Sequence, residues 1–545
     1  MVSLSLPRLL AVSLAVITVF AAWLRIDGLG RQFLQDDEWH ALNMLVSSGY
    51  ARIFQSFGYA DHSIPLTLLY KAMADTIGLD EVRTRALQVA CGIAVVPLCG
   101  VLAWRVLRDA PAAALFAFLV SDAPFLVLYS RFARPYPITL LLTVIGLASL
   151  WRWRRARTAR WAMLLIACGA LSTWLHPIAG LFLAVGCLFV FFEDVVDATR
   201  TGAARPALAS MALGLVVAAA MLAPLVAPLL ADRQSLLAKA GGDHPGVHTL
   251  VRMFSIFLGG ATGTVMAIVA ALVMLGAARL WRRDRRMAAF LLALMIVPPA
   301  VLMTVGAQWS QQGHTFGRYV LPVQLLVLFF ASAGATALAQ RALPRLRWAP
   351  AAFAALLGAA DACATPTIAL VHSGTPWFSH LYYHYDYVPR YNAMRAQFKG
   401  IVSSPFYRRL GELAPGTAPI VEAPFNFEAP ANALVLFAEA HRQPITLGLL
   451  DPVCSYRNGR GRYPAHDDRF RFHRFVFLDH VAAVRHTGAR YLVFHFEPHL
   501  FADLQDAPGC IAKLSRLYGE PVYRDDGLVA FDLRAGEASP ARAKP

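Results

Sequence analysis

The sequence predicts a polytopic α-helical membrane protein of about eleven transmembrane helices followed by a C-terminal extracytoplasmic α/β domain. Three observations carry that reading. Of 545 residues 57% are hydrophobic and only 15% charged, with mean hydropathy +0.50, fewer charges than a soluble chain of this size carries. Apolar runs of spanning length recur as far as residue 371, and beyond it tyrosine, histidine and proline replace the aliphatic runs.

The spans fall at 7–25, 86–104, 111–129, 137–151, 161–176, 178–192, 207–230, 253–278, 287–305, 319–340 and 349–371. The first could be a secretory signal, but Arg25-Ile26-Asp27-Gly28 offers no small-residue cleavage site, so an uncleaved span is expected. The net charge of +16 comes from arginines gathered between spans: Arg105 and Arg108, Arg152 to Arg160, Arg200 and Arg205, Arg279 to Arg286, and Arg341 to Arg347. With alternating spans, all of these lie on the side of Arg8, which the positive-inside tendency makes cytoplasmic. The charge reports orientation, and a nucleic-acid partner is excluded. The loop 27–85 and everything after 371 then face outward, with a cytoplasmic N-terminus and a periplasmic C-terminal domain.

The outer loop 27–85 carries two amphipathic helices expected along the membrane surface, one with Leu42, Leu45 and Val46 on a face, the other with Leu66, Leu69, Tyr70 and Met73. Just before the first stand three consecutive acids, Asp36, Asp37 and Glu38. One acid suffices to cap a helix; three repel one another and call for a cation, a basic partner or a reaction that uses them. Glycosyl transfer to a hydroxyl needs a carboxylate to take the acceptor's proton and cations to stabilise a departing phosphate.

Cations line the same outer face. Arg131 and Arg134 precede Tyr136 at a proline-fixed helix boundary, Arg318 precedes Tyr319, and His176 sits in a tight turn. Each arginine suits either a phosphate or ordinary headgroup anchoring. Asp361 falls inside the last span, where a charge is costly, and Asp122 near an outer end can be simply solvated.

In the domain 372–534, strands are expected at 419–425, 445–450 and 490–496, helices at 429–441 and 479–487, and a hairpin at 521–533. No Gly-rich phosphate loop follows any strand. Residues 535–545 have the composition of a disordered tail. Cys91, Cys99, Cys168, Cys187 and Cys363 fall in spans; Cys454 and Cys510 are available to pair if the domain is extracytoplasmic.

Taken in order, Asp37-Glu38, His62-Ser-Ile-Pro65-Leu66, Arg83-Thr-Arg85, Arg134-Pro-Tyr136, His176-Pro-Ile-Ala-Gly180 and Arg318-Tyr319-Val-Leu-Pro322 resemble the GT-C superfamily of polyprenyl-phosphate-sugar-dependent glycosyltransferases. Within it they resemble bacterial relatives of protein O-mannosyltransferases and of the lipid A aminoarabinose transferase. The resemblance implies a bacterial inner-membrane enzyme that transfers a sugar, with inversion, to a hydroxyl of a lipid, glycan or protein acceptor. It implies Asp37, with Glu38, as catalytic carboxylate; Arg134, Arg318, Lys71 and Arg131 for the donor phosphate; and Asp36, His62, His176 and Tyr136 in support. Some relatives use a divalent cation, Mg or Mn, and others none; Asp36, Glu38 and His40 would be its ligands here. A transporter or flippase of lipid-linked glycan is the rival from another class, opposed by acids that lie outside the bilayer rather than at its midplane. A non-catalytic scaffold of the same fold is the other.

Overall fold

The computed structural model describes residues 6–31, 34, 36–56, 63–234, 243–306, 310–371, 404–424, 437, 440–450, 453–454, 469, 475–496 and 506–534. The expected tail, residues 372–403 at the start of the expected C-terminal domain and most of the expected helix 429–441 lie outside the described residues.

Among these, eight helices are long and apolar enough to cross a membrane, and a ninth span arises if one bent pair is joined. The first is α1 (Leu6–Ile26). The outer loop then gives α2 (Trp39–Ser47), α3 (Tyr50–Gln55) and α4 (Ile64–Thr76) before the span α5 (Glu81–Leu107). The bent pair is α6 (Ala110–Asp122) and α7 (Pro124–Ser130), which meet at 57° where Pro124 removes a helical N–H. There follow α8 (Tyr136–Ala156), α9 (Ala159–Leu175), α10 (Gly180–Thr201), α11 (Arg205–Leu222) and α12 (Val226–Ala231). Three helix starts of the membrane bundle are capped by aspartates, Asp80, Asp109 and Asp284, whose carboxylates accept from the backbone N–H groups of Arg83, Ala112 and Met287.

The expected span 253–278 is corrected. The chain breaks at Gly259-Gly260, both in the left-handed region, into α13 (Val247–Phe257) and the membrane helix α14 (Gly263–Arg283). Next come α15 (Arg285–Val305), α16 (Gly313–Tyr319) and α17 (Leu321–Ala342). A Cβ at Gly276 would stand 1.9 Å from the carbonyl oxygen of Phe330, and one at Gly334 would stand 2.0 Å from that of Leu272, so α14 and α17 touch backbone to backbone. The expected span 349–371 is shorter, α18 (Ala349–Ala364) followed after Pro366 by α19 (Thr367–Val371).

In the outer loop Leu42, Leu45, Ile53, Leu66, Tyr70 and Ala74 are buried together against Ala133, Ile138 and Leu175, which seats α2 to α4 on the bundle. On the expected apolar face of α4 the buried stripe runs Leu66, Tyr70, Ala74 at steps of four, while Leu69 is exposed.

The C-terminal domain begins with α20 (Pro405–Gly411) and contains a six-stranded sheet of order β3-β2-β1-β4-β6-β5. β1 (Ile420–Ala423), β2 (Ile445–Leu449), β3 (Phe475–Phe477) and β4 (Tyr491–His495) run parallel. The hairpin β5 (Tyr523–Arg524) and β6 (Leu528–Asp532) closes one edge antiparallel. Helices α21 (Val481–His486) and α22 (Ala507–Tyr518) cover the sheet, with Leu514 and Phe531 in its core. Cys454 and Cys510 form a disulfide with their Cα atoms 5.5 Å apart. The domain is tied to the outer loop by Arg469, which contacts Asp75 at 2.8 Å and accepts from the Leu79 N–H at 2.7 Å.

Candidate active site

After α1 the chain makes one tight 3-10 turn, Asp36–Glu38, and enters α2. Successive side chains of such a turn point about 120° apart, so neighbouring acids face different surroundings. Glu38 occupies the N-cap position of α2, yet its side chain makes no cap hydrogen bond. It turns inward, where Arg85 of α5 donates through Nε and Nη2 to its two oxygens, each at 2.7 Å, and the Ala133 N–H donates at 2.8 Å. Both side chains are fully buried. Such a bidentate pair fixes the turn to α5 and to the α7–α8 junction.

Asp37 faces the other way and keeps 15% of its side chain exposed. Arg318, at the end of α16, donates through Nη1 to its Oδ2 at 2.7 Å. Arg134, at the α7–α8 junction, brings Nη2 to 3.8 Å of the same oxygen, and His40 on the next turn of α2 stands 3.8 Å from Oδ1. The Arg134 Nη1 also lies 3.4 Å from His40 Nδ1. One partly open carboxylate therefore meets two nearly buried guanidinium groups drawn from segments far apart in the chain.

Aromatic rings form the floor. Arg318 lies over Tyr136 at 5.6 Å and Tyr319 at 5.4 Å, and Arg134 over Tyr136 at 5.9 Å. His176 packs 5.5 Å from Tyr136 and 5.3 Å from Tyr319, and Tyr129 lies 5.0 Å from Tyr136. The Tyr136 hydroxyl and the Arg318 Nε are buried without a hydrogen-bond partner among the described residues. An orphaned donor of this kind costs free energy unless something supplies an acceptor.

The other sequence-derived candidates divide. Asp36 lies in the turn, but its side chain, like all of His62, is outside the described residues. Lys71 is engaged elsewhere, 3.0 Å from Asp75, whose carboxyl is held below the ordinary range foremost by this hydrogen bond. Arg131 is a correction: it is buried and donates to the carbonyls of Leu24 at 3.0 Å and Asp27 at 2.6 Å, which ties it to the end of α1. Glu38 is likewise removed from the open side, and with its oxygens engaged by Arg85 and Ala133 it is a poor cation ligand. Among the described residues no group of three His, Cys, Asp or Glu could hold a metal ion. Asp122, expected to be solvated, is buried and accepts from Thr365 at 2.7 Å; Asp361 shares a hydrogen bond with it.

Sequence reasoning quoted Arg85 within a motif but gave it no task. The signal was available: Glu81, Thr84, Arg85 and Gln88 recur at helical spacing in an otherwise apolar α5, and all four are buried. Arg25 was read only as a flank, whereas it is fully buried and donates to Ser130 Oγ at 3.2 Å and the Ser121 carbonyl at 3.0 Å.

Residues 40–198 match the family model of dolichyl-phosphate-mannose-protein mannosyltransferases. That match bears out the glycosyltransferase resemblance read from the sequence; it brackets Arg134, Tyr136 and His176, while Asp37 precedes it and Arg318 follows it. No curated protein matches the chain. Among solved structures the chain is similar to ArnT from Cupriavidus metallidurans in the apo state, with 14% identity, a TM-score of 0.45, and coverage of 97% of this chain and 99% of that one. The same protein bound to undecaprenyl phosphate gives 13% identity and a TM-score of 0.44, with 97% and 99% covered. The arabinofuranosyltransferase AftD from Mycobacteria gives 14% and 0.44, covering 97% of this chain and 42% of that one.

Proposed function

We propose that the protein transfers a sugar from a polyprenyl-phosphate donor to a hydroxyl of a lipid, glycan or protein acceptor, with inversion, at the outer face of a bacterial inner membrane. The observation that carries this reading is the partly open carboxylate of Asp37, held between Arg318 and Arg134 over the Tyr136, His176 and Tyr319 rings. Asp37 takes the proton of the acceptor hydroxyl as its oxygen attacks the anomeric carbon. The bond from that carbon to the phosphate oxygen breaks on the opposite face, and the arginines neutralise the charge gathered on the leaving polyprenyl phosphate. One carboxylate and one displacement account for inversion. Glu38 and Arg85 then act as positioning residues beneath Asp37.

The donor class is supported by the mannosyltransferase family match over 40–198 and by orphaned donors suited to a phosphate. Orientation is supported by the basic loops at the opposite end of the helices and by the Cys454–Cys510 disulfide, a bond that persists in oxidising compartments. Profiling of lipids and glycans in a deletion strain complemented with wild type or Asp37→Asn tests the reading. Wild type alone should restore the missing glycosylated product; restoration by Asp37→Asn would favour a transporter or scaffold.

A further inference from the structure

A second site lies at the other end of the bundle. A cavity of about 550 Å³ opens between α5, α8, α15 and α17, within the range of about 300–1,000 Å³ typical of small-molecule sites. Its walls are apolar, with Leu102, Phe116, Leu147, Phe290, Leu294 and Phe329 among them. Its mouth carries Arg105, Arg108, Arg152 and Arg155. Arg152 follows Tyr136 by sixteen positions along α8, which at about 1.5 Å per residue sets the mouth roughly 24 Å from the Asp37 cluster. A group bound there is not the donor phosphate.

The charges at this end fall into two sets. Arg154 contacts Asp194 at 3.2 Å and Glu193 at 3.4 Å, and Arg286 pairs with Glu193 and Asp197, so this set is neutralised within the protein. At the mouth the acid is Asp284, 3.8 Å from Arg155, while Arg105, Arg108 and Arg152 make no ion pair among the described residues. Trp104 and Trp151 support this set, lying 5.3 Å from Arg108 and 5.6 Å from Arg155. Unneutralised arginines with aromatic neighbours, set over an apolar slot between helices, match the amphipathic chemistry of an anionic lipid.

We propose that this cavity is a specific site for an anionic phospholipid, with an acyl chain in the slot and the headgroup phosphate on Arg105, Arg108 and Arg152. Orientation by the basic loops makes it a lipid of the inner leaflet. Headgroup charge supplies recognition, and the apolar slot places one acyl chain directly beneath it.

Native mass spectrometry of the full-length protein in detergent, titrated with phosphatidylglycerol or phosphatidylcholine, tests the site. The wild type should retain one phosphatidylglycerol and discriminate against phosphatidylcholine. Arg105→Gln/Arg108→Gln/Arg152→Gln should reduce retention at least tenfold, whereas Arg282→Gln/Arg285→Gln/Arg341→Gln, with the same loss of charge outside the cavity, should not. Ala148→Phe, which fills the slot and keeps every arginine, should also lose the lipid, and it decides the matter if the triple variant does not fold. Equal retention of both lipids, equal loss in the two triple variants, undiminished binding by Ala148→Phe, or an isoprenoid phosphate in the slot would each overturn the proposal.

Discussion

Asp37 and Arg318 stand 281 positions apart in the chain and meet at 2.7 Å, Arg318 Nη1 donating to Asp37 Oδ2. Carboxylate and guanidinium satisfy each other. In the proposed reaction a donor phosphate would compete for Arg318 and free Asp37 to accept a proton, so that donor binding and activation of the base would be one event.

Asp37→Asn separates the two halves of that event. Loss of the proton acceptor should lower kcat by about 10²–10⁴-fold, the usual worth of a general base. Affinity for polyprenyl phosphate should hold or rise, because Arg318 and Arg134 no longer have a competing carboxylate. Parallel turnover and binding assays on purified protein check this; a parallel loss of binding would instead assign Asp37 to the fold.

Arg318→Gln should weaken polyprenyl-phosphate binding roughly 10- to 100-fold, the range for losing a hydrogen bond to a charged group. Arg318→Lys keeps the charge but loses the planar fork and most of the stacking on Tyr136 and Tyr319, so it should recover only part of the affinity. Full recovery by lysine would reduce the site to a point charge.

Glu38→Ala should cost about 3–5 kcal/mol of stability, because it leaves Arg85 buried and uncompensated. Glu38→Leu/Arg85→Met removes both charges and should regain much of that loss in thermal unfolding. The double variant should still transfer sugar measurably. A folded double variant without any activity would return Glu38 to the chemistry.

These contrasts mark where the sequence was legible. The spans were, because some twenty apolar residues form a local signal. The acidic turn was, because charges are rare and costly in such a chain. What separates Asp37 from Glu38 was not local: the two are adjacent, and their partners lie at Arg318, Arg134 and Arg85 on other elements. The break at Gly259-Gly260 was masked by continuous hydropathy, and the three-residue β3 is too short for any periodicity.

The C-terminal domain should lose stability in acid. His441, buried beside Glu422, His495, Tyr407 and Phe437, has its pKa pushed down from 6.5 to about 4, foremost by burial. The folded state thus binds the proton less well than the unfolded chain. This contribution is fully present above pH 6.5 and is lost as pH falls toward about 4. Protection factors for hydrogen exchange of β1 and β4 in the full-length protein, corrected for the intrinsic pH dependence of exchange, should fall across that window. His441→Gln should flatten the dependence, and an unchanged profile would assign the acid sensitivity to other groups.

The pairing of Cys454 with Cys510 closes a loop of 56 residues and bears on topology as well as stability. Removing a native disulfide from a small domain costs about 2–5 kcal/mol, so Cys454→Ser should destabilise the C-terminal domain selectively. The bond survives only where the compartment is oxidising. In protein taken from the native membrane under denaturing conditions with thiols first blocked, Cys454 and Cys510 should become alkylatable only after reduction. Alkylation of both before reduction would set the domain on the reducing side of the membrane. The outward face would then pass to the end bearing Arg105 and Arg152, and Asp37 would work from the cytoplasm.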